Sequence, residues 1–220
     1  MSLDNSTLIT VLMAVYNTSF SLAKRAVDSV LNQDFPHFEL IILDDGSNAE
    51  LSSKLLNYSI IHESKITYVR HKNCGQSQSI NRGIKISKGQ FIAVIDADDE
   101  YKPQHLSRCF KEMSHADLIA SFTETVVNTA EDYYVPDKYD HRKNIHVDDC
   151  ILFATLFGKK EVFEKLSFDS IYSADSDFYD RATKLFKTRK VNLRTYIYYR
   201  NIEGSISATL KKQRDVLVQI

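Results

Sequence analysis

The chain has 220 residues, 28 Lys and Arg against 29 Asp and Glu, and a formal net charge of −1 at pH 7. Interleaved charges in that balance leave no electrostatic footprint for nucleic acid, and a chain of this length without a Gly/Ser/Pro-rich linker suits one domain over residues 1–220. The three cysteines, Cys74, Cys109 and Cys150, are far apart and outside any Cys-x-x-Cys spacing, so they suggest neither a disulfide framework nor a zinc site.

With no basic-then-apolar amino terminus and no apolar window of about 18 residues, the expectation is a reduced, soluble, cytoplasmic protein without a transmembrane segment.

Ile9 to Val15 is short, apolar and β-branched, and Tyr16-Asn17-Thr18 breaks it, which predicts a buried strand. Ala23, Ala26, Val27, Val30 and Leu31 then fall at helical spacing, and Asn32-Gln33-Asp34 with Pro36 ends that helix. Phe38 to Leu43 reads as a second strand closing on the turn cluster Asp44-Asp45-Gly46-Ser47. Ile66 to His71 reads as a third strand, and Gln76 to Ser87 as a helix with Ile80, Ile84 and Ser77 inward, stopped by Gly89. Strand Phe91 to Ile95 follows. Alternating strands and helices predict an α/β, mostly parallel sheet with helices on both faces.

The second half is less regular. Pro103 opens a helix to about Ser114, Asp117 to Thr123 is a strand, and residues 128–147 are polar and aromatic without a period, as in a long loop. Helical patterns resume over Asp149–Phe157, Lys160–Leu166 and Asp175–Lys187, followed by a strand over Thr195–Arg200 and a polar helix. On that last helix Lys211, Lys212 and Arg214 form a solvated face that could also touch an anionic membrane surface.

The chemistry concentrates where apolar strands end in acids. Asp96, Asp98 and Asp99 fall within four positions of one another after Ile95. A strand feeding acids into its carboxyl end places negative charge in the crevice where open α/β sheets bind ligands. Ionised neighbours need a cation, an Arg partner or strong solvation, and Mg2+ or Mn2+ carrying a phosphorylated ligand fits best. Asp45 can accept from a nucleobase edge that offers N–H, and Tyr16 can stack on that base. Asp175, Asp177 and Asp180 with Arg181 form a third cluster, otherwise explained as helix caps.

Six motifs in order carry a family resemblance: Val11-Leu12-Met13-Ala14-Val15-Tyr16-Asn17, Ser29-Val30-Leu31-Asn32-Gln33, Leu43-Asp44-Asp45-Gly46-Ser47, Asn73-Cys74-Gly75 with Asn81-Arg82-Gly83-Ile84, Lys88-Gly89-Gln90-Phe91-Ile92, and Asp96-Ala97-Asp98-Asp99 with Pro103. Together they resemble family 2 glycosyltransferases of the GT-A (Rossmann-like) fold. Phe157 to Leu166, Ser173 to Arg181, and Tyr198-Tyr199-Arg200 with Gly204-Ser205-Ile206-Ser207 resemble later family segments more loosely.

The resemblance implies a nucleotide-sugar half over about 1–105 and an acceptor half over about 106–220. It implies inverting transfer from a nucleotide diphosphate sugar, with UDP the expected nucleotide, to a saccharide or lipid-linked saccharide acceptor. That places the chain in surface polysaccharide or glycolipid assembly, in the cytoplasm or at the inner face of the membrane. Asp175 takes the position of the catalytic base. Ala14, Tyr16, Asp45, Asn81, Arg82 and Asp96 are the expected nucleotide-binding residues, and Asp98 and Asp99 the metal ligands, although the order of the three acids stays open.

Two positions depart from the family pattern, Ala174 for the usual Glu and Ala14 for a common Pro. Ala174 keeps open a noncatalytic nucleotide-sugar-binding module. A sugar-1-phosphate nucleotidyltransferase ranks lower, because Tyr16-Asn17-Thr18-Ser19 stands where that chemistry wants a Gly-rich basic loop. Without Trp, the chain also lacks the Gln-x-x-Arg-Trp segment of processive relatives, so single addition is expected.

Overall fold

A computed structural model describes residues 8–137, 143–169 and 173–202. In chain order it contains β1 (Ile9–Val15), α1 (Phe20–Leu31), β2 (Phe38–Asp44), α2 (Ala49–Ile61), β3 (Ile66–Arg70), α3 (Gln76–Ile86), β4 (Phe91–Asp96) and β5 (Glu100–Tyr101). There follow α4 (His105–Glu112), β6 (Leu118–Val126), β7 (Tyr134–Pro136), β8 (Asn144–His146), β9 (Leu156–Lys159), α5 (Lys160–Lys165), α6 (Ala174–Thr183) and β10 (Thr188–Tyr199).

The main sheet has eight strands in the order β3-β2-β1-β4-β9-β6-β10-β5. β1 runs parallel to both β2 and β4, β2 to β3, and β6 to β10, while β9 and β5 run antiparallel to their neighbours. The chain winds outward from β1 through β2 to β3, then crosses back to lay β4 on the other side of β1. That reversal is the switch point at which open α/β sheets form a ligand crevice beyond the strand carboxyl ends. Tyr16, Asp45 and the acids after Ile95 all follow strands of this central group.

β1 and β2 are buried almost throughout because both faces are covered, which explains their unbroken apolar runs. Val11, Met13, Leu40 and Ile42 pack with Ala26 and Val30 of α1, Leu51 and Leu55 of α2, and Leu106 of α4. Leu12, Ile41, Leu43 and Val94 point the other way, to Ile80 and Ile84 of α3, Phe163 of α5 and Phe178 of α6. The alternation of one strand thus feeds two cores.

Several sequence expectations change. Helix α2 has no clean apolar stripe, since Leu56, Ile60 and Ile61 are exposed beside buried Leu51 and Leu55, and the periodicity hid it. In α3 the inward serine is Ser79, whereas Ser77 is half-buried. Residues 149–157 are not an α-helix: short 3-10 turns at Val147–Asp149 and Phe153–Thr155 lead into β9, inserted between β4 and β6. Gly158 permits that insertion, because a Cβ there would lie 2.7 Å from the Asp117 carbonyl oxygen.

The irregular stretch 128–147 contains a 3-10 turn over Ala130–Tyr133 and the β7–β8 hairpin. β10 begins at Thr188, with a register shift between Val191 and Tyr196 and Arg194 at φ 46°. Tyr139, His141, Gly204 to Ser207 and the basic residues Lys211, Lys212 and Arg214 lie outside the described residues. Among the described residues no helix is long and apolar enough to cross a membrane.

Candidate active site

The first wall of the crevice is a pair of interlocked loops after β1 and β2. Asn17, at φ 51°, accepts on Oδ1 from the Asn48 backbone N–H at 2.9 Å and donates its own N–H to Ser47 Oγ at 3.1 Å. The Tyr16 ring beside it is 55% exposed, an aromatic face held at the rim on a braced loop. Ala14 is half-buried on β1, in register with Asp96 of β4.

The two acids after β2 have different work. Asp44 is fully buried and accepts from Ser52 Oγ at 2.5 Å, Tyr68 OH at 2.5 Å and the Ser47 N–H at 2.8 Å. Burial pushes its carboxyl up, but these donors together hold it below the usual carboxylate value. Asp45 accepts from the backbone N–H groups of Cys74 at 2.7 Å and Gly75 at 2.9 Å, tying the loop before α3 to the end of β2. Each oxygen keeps a lone pair for a further donor.

Cys74, set aside as a ligand by cysteine spacing, meets Asp45 and His71 in a group whose candidate ligand atoms lie within 4.8 Å of one another. His71 Nδ1 is also 3.0 Å from the Lys72 carbonyl oxygen, and its Nε2 is buried without a partner. The hydrogen bonds of this group tie the segment after β3 to the end of β2.

At the end of β4 the three acids separate. Asp96 is half-buried and accepts from Gln76 Nε2, on the first turn of α3, at 2.6 Å. Burial, then the charges of Asp98 and Asp175, push its carboxyl up to about 7 against that bond. Asp98 is half-buried and also raised, chiefly by burial, with the nearby Arg25 charge opposing. Asp99 is 1% exposed and turned into the protein, accepting from Tyr196 OH at 2.7 Å and the Tyr199 N–H at 2.8 Å. Burial and the Asp96 charge raise it well above the usual carboxylate value. The sequence reading grouped Asp99 with Asp98, but both of its oxygens are held by β10.

The acceptor-side residues are equally specific. Asp175 is half-buried on the first turn of α6 and accepts from the Ser176 N–H at 2.7 Å. Its negative charge adds to the upward push on the Asp96 carboxyl. Asp177 instead pairs with Arg181 Nε at 2.9 Å, and Arg181 also donates to the Ser167 carbonyl at 2.7 Å. The cluster read from sequence therefore divides into one crevice acid and a helix clasp. Ala174 is buried in the apolar core with Phe178.

Asn81 exchanges two 3.0 Å hydrogen bonds with the Phe168 backbone, a tether between α3 and the segment after α5. Arg82 is exposed beside it.

Sequence reasoning overlooked the residues that hold these acids. Gln76, Tyr196 and Arg25 carry no motif signal of their own; Tyr199 sits in a segment noticed only by resemblance.

A family model described as "Glycosyl transferase family 2" matches residues 10–180. The chain belongs to this glycosyl transferase family. Relatives of this family-2 chain include the uncharacterized glycosyltransferase MJ1057 of Methanocaldococcus jannaschii, 28% identical over 79% of this chain and 64% of the relative. Glycosyltransferase GlyG of Streptococcus pneumoniae is 25% identical over 96% of this chain and 78% of its own length.

The fold matches the GT-A glycosyltransferases. Mannosyltransferase PcManGT of Pyrobaculum calidifontis, solved with GDP-Man and Mn2+, superposes with a TM-score of 0.72 at 16% identity, covering 95% of this chain and 61% of that one. S. aureus TarS 1–349 with UDP-GlcNAc gives 0.70 at 17% identity, covering 92% and 60%. The chain thus spans about three fifths of these structures' length.

The donor set at β4 fits a hard divalent cation. It offers carboxylate oxygens, and among the described residues no Lys, Arg or His forms an ion pair with Asp96, Asp98 or Asp99.

Proposed function

We propose that this chain transfers a sugar from a nucleoside diphosphate sugar, UDP-linked, to an acceptor hydroxyl with inversion, in a metal-dependent reaction that builds a polysaccharide or glycolipid. The observation that carries the reading is the placement of Asp96, Asp98 and Asp99 at the end of β4, beside the loops after β1 and β2, together with a separate acid, Asp175, on the first turn of α6 whose charge adds to the upward push on Asp96. An acid group for the diphosphate end and a separate acid for the acceptor is what a single in-line displacement needs.

Tyr16 stacks on the base, Asp45 accepts its imide N–H, and the β1 backbone at Ala14 lines the floor beside Asp96, which addresses the ribose or donor sugar. Arg82, exposed on α3, is the cation available to the diphosphate, while Asn81 serves from behind by fixing α3. Asp98 is the carboxylate that would hold Mn2+ or Mg2+, which supplies charge neutralisation for the departing diphosphate. Asp99 acts through Tyr196 and Tyr199, positioning the turn. Asp175 takes the acceptor hydroxyl proton as the new bond forms, a general-base contribution of about 10² to 10⁴ in rate. The half-exposed Tyr134 ring on the β7–β8 hairpin suits a saccharide or lipid-linked saccharide acceptor. Such an acceptor would be met at the cytoplasmic face of a membrane.

Burial of Ala174 in the core leaves Asp175 at the helix start, which favours an active domain over a noncatalytic module. Calorimetry with UDP, GDP and dTDP sugars, with Mn2+ or with chelator, tests the reading. Mn2+ is expected to strengthen UDP-sugar binding to the wild type and not to Asp98→Asn; equal binding in chelator overturns metal dependence.

A further inference from the structure

An arginine on α1 touches the acid turn without touching any acid oxygen. The Arg25 guanidinium donates through Nη2 to the Asp98 backbone carbonyl at 2.5 Å. Its face lies 3.9 Å from the centroid of the Tyr199 ring. On the other side Glu100 Oε2 stands 3.7 Å from Nε, beyond hydrogen-bond reach, and Nε is buried without a hydrogen-bond partner. Tyr199 in turn donates its N–H to Asp99 at 2.8 Å and its hydroxyl to Glu100. One side chain is therefore held between the Asp98 carbonyl in the turn and the Tyr199 ring on β10, with the Glu100 carboxylate nearby.

The ordinary explanation, a surface ion pair with Glu100, accounts for little. Pairs within reach of solvent contribute little unless their geometry is ideal, and here the nitrogen and oxygen are too far apart to bond. What the geometry spends the guanidinium on is the Asp98 carbonyl. A hydrogen bond to that oxygen fixes the peptide, and with it the direction in which the Asp98 side chain leaves the turn. It also brings positive charge to Asp98 without bonding to either carboxylate oxygen. An arginine bonded to the carboxylate itself would neutralise the acid but compete with a cation for its oxygens.

We infer that Arg25 is a positioning residue for metal and donor binding, holding the Asp98 peptide from behind so that its carboxylate is presented to a divalent cation. The inference rests on the metal reading of Asp98 and extends it to a residue on α1. Outer partners that orient a metal-binding group are worth about 10- to 100-fold in metal affinity.

The test measures Mn2+ affinity in the presence of UDP, by electron paramagnetic resonance of free Mn2+, for wild type, Arg25→Met, Arg25→Lys and Tyr199→Leu. Thermal unfolding and binding of UDP in chelator report on folding and on the base pocket. Arg25→Met is expected to weaken Mn2+ binding about tenfold with UDP binding in chelator unchanged, and Arg25→Lys to recover part of it, since an ammonium can still donate to the carbonyl. Tyr199→Leu, which removes the stacking face, is expected to fall between wild type and Arg25→Met. Turnover of Arg25→Met should return at high Mn2+.

Wild-type affinity in a folded Arg25→Met overturns the inference alone. A wild type that binds Mn2+ no better with UDP than without, and UDP no better with Mn2+, overturns the metal reading and this inference with it. Should Arg25→Met fail to fold, Arg25→Lys and Tyr199→Leu both matching wild type overturn it equally.

Discussion

Tyr196 of β10 donates its hydroxyl to Asp99 at 2.7 Å and accepts the Asp96 backbone N–H at 3.2 Å, so one buried phenol ties together the two ends of the acid turn. The ring is 1% exposed and packs edge-on against Tyr101. β10, three strands away from β4 in the sheet, thereby sets the shape of the turn that follows β4.

Tyr196→Phe keeps the ring and deletes both hydrogen bonds. A buried carboxyl then loses one of its two protein donors, and leaving such a group short costs about 1–3 kcal/mol. Urea unfolding should show a lower midpoint at unchanged slope. A midpoint within error of wild type would mean that the hydroxyl does not hold the turn.

The raised acids fix the sign of a pH effect. Asp96 moves from its ordinary value of 3.8 up to about 7 through burial and the charges of Asp98 and Asp175. Between those values the folded chain binds more protons than the unfolded one, so stability is greatest at the acid side and falls as pH rises through that window. Asp98 and Asp99 shift in the same direction and add to the slope. Chemical unfolding from pH 4 to 7.5 should therefore show a decline that is shallower in Asp96→Asn. An equal slope in the variant would remove Asp96 as its source.

How much of this was legible in the sequence depended on periodicity. β1, β2 and β4 were readable because burial on both faces writes a continuous apolar run, and their ends located the crevice. Helix α2 was not, because exposed Leu56 and Ile60 blur its stripe. β9 looked helical because a four-residue strand between two neighbours has no room to show a period of two. The acids were visible as types but not as directions: nothing in Asp98-Asp99 tells which side chain is withdrawn, since that is decided by Tyr196 and Tyr199 a hundred residues away.

Gly89 carries a motif position whose reason is steric. Its N–H donates to Thr10 Oγ1 at 2.9 Å, and Thr10 Oγ1 donates to Glu39 Oε1 at 2.7 Å, which also accepts the Lys88 N–H at 2.7 Å. A Cβ at Gly89 would sit 2.5 Å from the Thr10 nitrogen and 2.7 Å from the Ile9 carbonyl carbon. Backbone must move, at the point where β4 begins beside β1. Gly89→Ala should lose about 1–3 kcal/mol, the range of overpacking, read as a lower unfolding midpoint. Wild-type stability would show that the two strands can separate there at no cost.

Asp175 separates binding from chemistry. Its charge bears on Asp96, yet it enters from α6, while the proposed nucleotide contacts come from β1, β2, α3 and β4. Asp175→Asn is close to isosteric and keeps an acceptor oxygen for the Ser176 N–H, so the helix start should survive. What it loses is the ability to take a proton. Transfer should fall by about 10² to 10⁴, with the affinity for UDP in Mn2+ unchanged. Normal turnover in this variant would move the base elsewhere, and a parallel loss of UDP binding would assign Asp175 to the donor rather than to the acceptor hydroxyl.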